Sequence, residues 1–235
     1  MKLNYAIVLA GGSGKRMGLD MPKQYAEVNG YPLLYYSLKA FQDCSFIDGI
    51  VLVTRREDVG YCRAELVEKY GFTKVRHIMA GGAQRYESVC NGLAALRGAG
   101  CVFVHDGARP CINSEILQKL YDDFICYGAA VAAVLSKDTV KISDSDNFAA
   151  DTPERARVWI VQTPQVFDAR ELREAYDAML CDEERAEVTD DASVMERYGK
   201  RRVHLCEASY LNIKVTTRED LITVGNFLQK ISTNR

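Results

Sequence analysis

Apolar positions along the chain fall into two alternating patterns. Ile7, Val8 and Leu9 make an unbroken apolar run, the mark of a strand buried on both faces. Leu34, Leu38 and Phe41 then recur at steps of four and three, which predicts a helix with one apolar stripe. The alternation continues with Ile50 to Val53 as a strand, Val59, Cys62 and Leu66 as a helix ending near Gly71, and Lys74 to Met79 as a strand. Val89, Leu93 and Leu96 line one face of the next helix, and Cys101 to His105 is a fourth apolar strand. Asn113 caps a helix marked by Leu117, Leu120 and Phe124, and Ala129 to Leu135 returns as a strand of small residues.

From Ser136 to Trp159 the helical period disappears. A polar turn over Ser143–Asn147 separates Val140 and Ile142 from Val158 and Trp159, so residues 137–160 read as a protruding β-hairpin arm. A lone hairpin is marginal in water, and a second copy of the chain is the natural cover for its apolar residues. Gln162–Gln165 reads as a turn, and Asp168 with Glu171 begins a helix striped by Leu172, Tyr176 and Met179. Thr189–Ser193 opens another helix, where Asp190 and Asp191 read first as caps that suit the helix dipole. Asn212–Thr216 reads as a strand with Lys214 on the face opposite Ile213 and Val215. A last helix follows, capped by Thr216 and Glu219 and striped by Leu221, Val224, Leu228 and Ile231. The expectation is an α/β protein: one Rossmann-like layered domain over residues 1–235, with a mostly parallel sheet, crossings on both faces and the arm standing out.

Composition narrows the function classes. The 235 residues are 48% hydrophobic and 26% charged, with net charge −2, which implies no basic face for nucleic acid. No apolar run is long enough to span a bilayer and no secretory leader stands out, so membrane roles are not expected. Eight cysteines without a C-x-x-C pair read as thiols in a reducing, cytoplasmic setting, and three dispersed histidines lack zinc-site spacing.

The candidate chemistry begins where the first strand ends. Gly11, Gly12 and Gly14 are followed by the cations Lys15, Arg16 and Lys23, an arrangement that closes backbone N–H groups and positive charge around phosphate oxygens. It matches neither G-x-x-x-x-G-K-[ST], since Leu9 stands at the first glycine and Arg16 follows Lys15, nor G-x-G-x-x-G, since Met17 holds the third glycine position. Gly81 and Gly82 form a second glycine loop whose backbone can meet the edge of a flat ligand, with Ser88 adding a hydroxyl; a plain turn and helix cap accounts for it equally. The fourth strand stops at Asp106, with Arg109 close behind. Asp106 suits magnesium or a substrate hydroxyl, and Arg109 suits an anion or Asp106 itself. The anion-binding set Arg16, Lys23, Arg109, Arg155 and Lys214 comes without a Ser-His-Asp or Cys-His group. That fits phosphoryl or nucleotidyl transfer, which needs positioning and charge neutralisation more than a protein nucleophile.

Leu9-Ala-Gly-Gly-x-Gly-x-Arg16-Met with Pro22-Lys23-Gln24 resembles the nucleotidyltransferases that activate sugar and polyol phosphates. Gly81-Gly82-x-x-Arg85-x-x-Ser88, Val104-His-Asp106-Gly-Ala-Arg109-Pro, Asp138-Thr139-Val-Lys141, Gln162-Thr-Pro-Gln165, Thr189-Asp-Asp-Ala-Ser and Asn212-Ile-Lys214-Val-Thr narrow the resemblance to the 2-C-methyl-D-erythritol 4-phosphate cytidylyltransferase family. The resemblance implies CTP and a polyol phosphate as substrates, Mg2+ held mainly by the CTP phosphates, and a homodimer. It puts Ala10, Gly11, Gly12, Gly14, Arg16 and Lys23 on the triphosphate, Gly82, Ala83 and Ser88 on cytosine, and Asp106 near the ribose and metal. Lys214 would join Arg16 and Lys23 on the α-phosphate. Ala108, Arg109, Thr163 and Thr189 would hold the acceptor, with Thr139 and Arg155 reaching in from the partner's arm. The family pattern has alanine where Gly107 stands and often an acid where Ala83 stands. Two alternatives remain at this stage: ribitol-5-phosphate as acceptor, and a nucleotide-binding regulator without turnover.

Overall fold

A computed structural model describes residues 3–12, 21–96, 98–184 and 187–233. Gly14 and Arg16, with Lys15, lie outside these residues, as does the side chain of Ile231. In chain order the strands are β1 (Leu3–Ala10), β2 (Glu27–Val28), β3 (Tyr31–Pro32), β4 (Gly49–Thr54), β5 (Val75–Ala80), β6 (Ala99–Asp106), β7 (Ala129–Leu135), β8 (Ile142–Ser143), β9 (Ala149–Asp151), β10 (Trp159–Asp168) and β11 (His204–Glu207). The helices are α1 (Leu33–Asp43), α2 (Val59–Tyr61, continuing as a π-helix over Cys62–Glu68), α3 (Arg85–Ala94), α4 (Ser114–Tyr127), α5 (Ala169–Cys181), α6 (Asp191–Arg197) and α7 (Arg218–Thr233).

Among the described residues one seven-stranded sheet runs in the order β11-β7-β10-β6-β1-β4-β5. Every pairing in it is parallel except the two made by β10. All residues of β4 and β6 are buried, because helices cover both faces and no position along these strands needs to be polar. Alternate residues of β1 serve opposite cores. Ala6 and Val8 pack with Leu34, Leu38 and Phe41 of α1 and Leu117 of α4, whereas Ile7 packs with Val89 and Leu93 of α3 and Leu172 of α5. On a smaller core, Val224 and Leu228 of α7 meet Val28, Leu33 and Val215.

The order also fixes where a ligand can sit. From β1 the chain moves outward through β4 to β5, then returns to β6 on the other side of β1. Such a reversal parts the connecting loops at the carboxyl ends of the strands and opens a crevice there.

Three local expectations change. Gln162–Gln165 is not a turn between elements but part of β10, where the register to β7 shifts between Val161 and Gln165 and the Thr163–Pro164 bond is cis. Asn212–Thr216 is not a strand; it is an irregular stretch whose Val215 N–H donates to Ala108 O at 2.8 Å. At the start of α7 it is Asp220 that gathers Thr216 N, Thr216 Oγ1 and Thr217 N, at 2.7–2.9 Å. The edge strand β11 and the small β2–β3 pair carry too few residues for a period to register. Within the arm β8 pairs with β9, across the turn where Asn147 takes a positive φ, while Trp159 and Ile160 at its root pair with β7.

α4 ends in Gly128 at φ 79°, whose N–H closes on Phe124 O at 2.7 Å before the chain turns into β7. A side chain at that φ is strained, and a methyl there would also stand 3.2 Å from the Arg201 guanidinium. Gly128→Ala should therefore lower unfolding free energy by about 1–2 kcal/mol in urea titrations while leaving turnover unchanged.

Candidate active site

The crevice is a cavity of about 520 Å³ whose lining includes Ala10, Gly11, Gly12, Lys23, Gly82, Ala83, Ser88, Asp106, Ala108 and Lys214. Residues far apart in sequence thus meet as the motifs predict. Gly11 and Gly12 are exposed just past β1, and a methyl on either would meet nothing within 4 Å among the described residues. Below them Gln24 Nε2 donates to Ala10 O at 2.6 Å.

Lys23 rides on the 3₁₀ turn Lys23–Tyr25. That turn is fastened by Tyr25, whose hydroxyl lies 2.9 Å from Thr54 Oγ1 and 3.2 Å from Cys62 Sγ. Burial first, and the Cys62 contact second, push the Tyr25 hydroxyl far above its ordinary pKa, so it acts as a neutral peg. Lys23 Nζ donates to Val215 O at 2.7 Å. Because the Val215 N–H donates to Ala108 O, one residue ties Lys23 to the stretch after β6.

The second glycine loop packs closely against the start of α3. A methyl on Gly81 would stand 2.6 Å from Ser88 Oγ, and one on Gly82 2.3 Å from Glu87 Cβ, so only glycine lets the loop lie down on the helix. Ser88 Oγ accepts from Gly82 N at 3.1 Å and donates to Gln84 O at 3.3 Å. Gln84 and Glu87 complete a capping box. The turn-and-cap reading of this segment thus holds, and the cap presents Gly82, Ala83 and Ser88 to the cavity.

Asp106 is the electrostatic centre. Lys214 Nζ lies 2.7 Å from its Oδ2, and Arg85 Nε lies 3.5 Å from its Oδ1. Burial alone would raise its pKa, but Arg85 and then Lys214 outweigh burial and hold the carboxyl well below the usual range. Arg85 also reaches Asp191 at 2.7 Å. Asp191 is fully buried and accepts from Tyr176 Oη as well, so it is more than a helix cap. Asp190 does cap α6, accepting from Ser193 N at 3.0 Å.

Arg109 does not turn to Asp106 as its main partner. Its Nη1 donates to Asn212 O at 2.8 Å, and its buried Nε has no hydrogen-bond partner among the described residues. Asn212 is itself fully buried and fastened to β10 through Gln162 Oε1 and Thr163 O. Thr163 lies behind the cavity, in a directed chain: Asp106 N–H donates to Thr163 Oγ1, and that hydroxyl donates to His105 Nδ1. The His105 Nε2 proton goes to Arg109 O at 3.2 Å. Thr189 is exposed in an adjoining cavity of about 240 Å³ that shares Gln84 and Arg85 with the main one. Thr139 and Arg155 are exposed on the arm and do not line the cavity of their own chain. The sequence reading passed over Arg85, Asp191 and Tyr176 as site residues. The available signal was an arginine at the first turn after Gly81-Gly82, where it cannot serve as a dipole-favoured anion and so has another task.

Magnesium would find one acid here. Among the described residues Asp106 is the only acid lining the cavity, and no group of three His, Cys, Asp or Glu is placed to hold a metal. A single ionised carboxylate fits a cation held mostly by phosphates and water.

A family model described as 2-C-methyl-D-erythritol 4-phosphate cytidylyltransferase matches residues 4–230. A protein of that name from Lachnospira eligens is 46% identical over 227 residues, which cover 97% of this chain and 100% of the relative. One from Clostridium novyi is 45% identical over 233 residues, covering 99% and 100%. The solved structure of 4-diphosphocytidyl-2C-methyl-D-erythritol synthase from Anaerococcus prevotii aligns with a TM-score of 0.86 at 36% identity, covering 97% of this chain and 96% of that one.

His105 supplies a pH test of the buried chain behind Asp106. Burial lowers its pKa from 6.5 to about 4, so the folded protein refuses a proton that the unfolded chain accepts. Its contribution to stability is complete above pH 6.5 and is lost as pH falls toward 4. Urea unfolding of the wild type should weaken across that window, and His105→Asn should flatten the slope there.

Proposed function

The chain belongs to the 2-C-methyl-D-erythritol 4-phosphate cytidylyltransferase family, and we propose how its cavity carries out that family's reaction. The enzyme joins CTP and 2-C-methyl-D-erythritol 4-phosphate into 4-diphosphocytidyl-2-C-methyl-D-erythritol and pyrophosphate, a step of non-mevalonate isoprenoid synthesis. A phosphate oxygen of the acceptor attacks the α-phosphorus of CTP, the bond to the bridging oxygen breaks, and pyrophosphate leaves. No protein nucleophile is required, because the attacking oxygen is already ionised.

What supports the residue roles is one convergence: Lys23, Lys214 and Asp106, from three separate stretches, meet over the open backbone of Gly11 and Gly12. We assign Ala10, Gly11, Gly12, Gly14 and Arg16 to the triphosphate, and Arg16, Lys23 and Lys214 to the charge that builds on the α-phosphate and its leaving oxygen. Gly82, Ala83 and Ser88 are assigned to cytosine, read mainly by backbone groups since Ala83 offers no polar side chain. Arg109, with a buried Nε left without a partner among the described residues, is assigned to the acceptor phosphate beside Ala108; Thr163 and Thr189 border that region. Magnesium is the divalent cation we assign, with Asp106 at its edge. When bound it neutralises triphosphate charge, and the chain's own cations orient the phosphates.

We further assign the arm, residues 137–160, to a homodimer interface that brings Thr139 and Arg155 to the partner's cavity. Ile142 and Phe148 on the arm, and Ile160 at its root, are large apolar residues left exposed, Phe148 by 71%. Residues of this kind gathered on one projection call for a cover. As for membranes, no helix among the described residues is long and apolar enough to cross one.

Lys23→Ala and Lys214→Ala should each reduce kcat by about 10²–10³, measured as pyrophosphate release from CTP and 2-C-methyl-D-erythritol 4-phosphate; near-normal kcat would remove either lysine from its role. Ribitol 5-phosphate should give the lower kcat/KM in the same assay. For the arm, mixing Lys23→Ala with Arg155→Ala subunits should restore part of the activity as heterodimers form. Heterodimers that form without regaining activity would show that Arg155 does not cross.

A further inference from the structure

The two cations on Asp106 differ in how firmly they are held. Lys214 sits on an irregular stretch, its side chain 41% exposed, and its contact is with Oδ2. Arg85 stands on the first turn of α3 and approaches the other oxygen, Oδ1. Behind Arg85 its Nη2 is fixed to Asp191, whose second oxygen accepts from Tyr176 Oη of α5. A row of alternating partners thus runs from Tyr176 through Asp191, Arg85 and Asp106 to Lys214. Lys214, Asp106 and the edge of Arg85 line the cavity, whereas Asp191 is fully buried behind them.

We propose that Arg85 is a positioning residue for the transfer: anchored on buried Asp191, it holds the Asp106 carboxylate in place once Lys214 leaves that carboxylate for a phosphate. The proposal rests on the reading of Lys214 given above. An ammonium is a compact point charge, and one drawn to a phosphate gives up its carboxylate partner. Without a second cation the released carboxylate would face the incoming triphosphate as a free like charge. Arg85 prevents this because a planar guanidinium can meet two carboxylates at once from fixed directions. The buried charge of Asp191 in turn keeps Arg85 from following Lys214 toward the phosphates, since Asp191 cannot be left unpaired at full burial. Arg85 therefore acts through Asp106 and not on the nucleotide.

A kinetic double-mutant cycle in the full-length enzyme, with Arg85→Gln and Asp106→Asn, separates these roles. Arg85→Gln should lower kcat by about 10–100-fold through misplacement, with KM for CTP moving by less than about threefold. In the Asp106→Asn background the same change should cost less than about twofold. Equal losses in both backgrounds would mean that Arg85 touches the substrate directly and would overturn the proposal. Asp191→Asn, checked for a cooperative thermal transition, should reproduce the Arg85→Gln loss; wild-type kcat in that variant would also overturn it. If Arg85→Gln fails to fold, Arg85→Lys takes its place in the cycle, since it keeps the charge toward Asp191 but cannot span both carboxylates. Lys214→Ala with wild-type kcat would strike the reading of Lys214 instead, leaving the Arg85–Asp106 coupling to be decided by the cycle.

Discussion

A carboxylate buried at the end of β6 governs the site. Taking such a charge out of water costs several kcal/mol unless cations and hydrogen bonds replace the lost hydration. Asp106 meets that cost with Arg85 from the start of α3 and Lys214 from the stretch before α7. The pairing joins three parts of the chain that share no hydrogen-bonded strand. Lys214 in turn carries Val215, whose carbonyl accepts from Lys23 and whose N–H donates to Ala108 O. The position of nearly every charged group in the cavity therefore traces back to this one acid.

The two glycine loops have different physical reasons for the same residue. At Gly11 and Gly12 no described residue stands within 4 Å of where a methyl would be. At Gly81 and Gly82 the space is filled by Ser88 and Glu87 of the chain itself. Glycine at the first pair leaves its backbone uncovered, and glycine at the second lets the loop rest on its helix.

Elements with a strong period were legible in the sequence. The apolar runs of β1, β4 and β6 and the stripes of α1, α3 and α4 lie where the spacing of Leu34, Leu38, Phe41, Val89 and Leu117 puts them. What failed had no period to read. Gln162–Gln165 carries two glutamines and a proline, a turn's composition, yet it continues β10. Its glutamines are buried because they fasten other segments, Gln162 to Asn212 and Gln165 to Asp190 and Ala192. The cavity-lining residues of the glycine loops, Asp106, Lys23 and Lys214 were legible because each follows a recognisable element or motif. Arg85 and Asp191 were not, because their importance lies in a contact across 106 positions that neither local segment reveals.

Because β10 runs against both neighbours, its first residues pair with the last residues of β7, Trp159 opposite Leu135. A parallel connection would have had to travel the length of the sheet and pack as a crossover. The reversed one begins and ends on the rim where the cavity opens. Residues inserted or lost between these two points change only what stands above that rim, leaving the layers underneath untouched. The segment is thus free to change in length and shape without cost to the sheet, and any such change falls on the rim of the cavity.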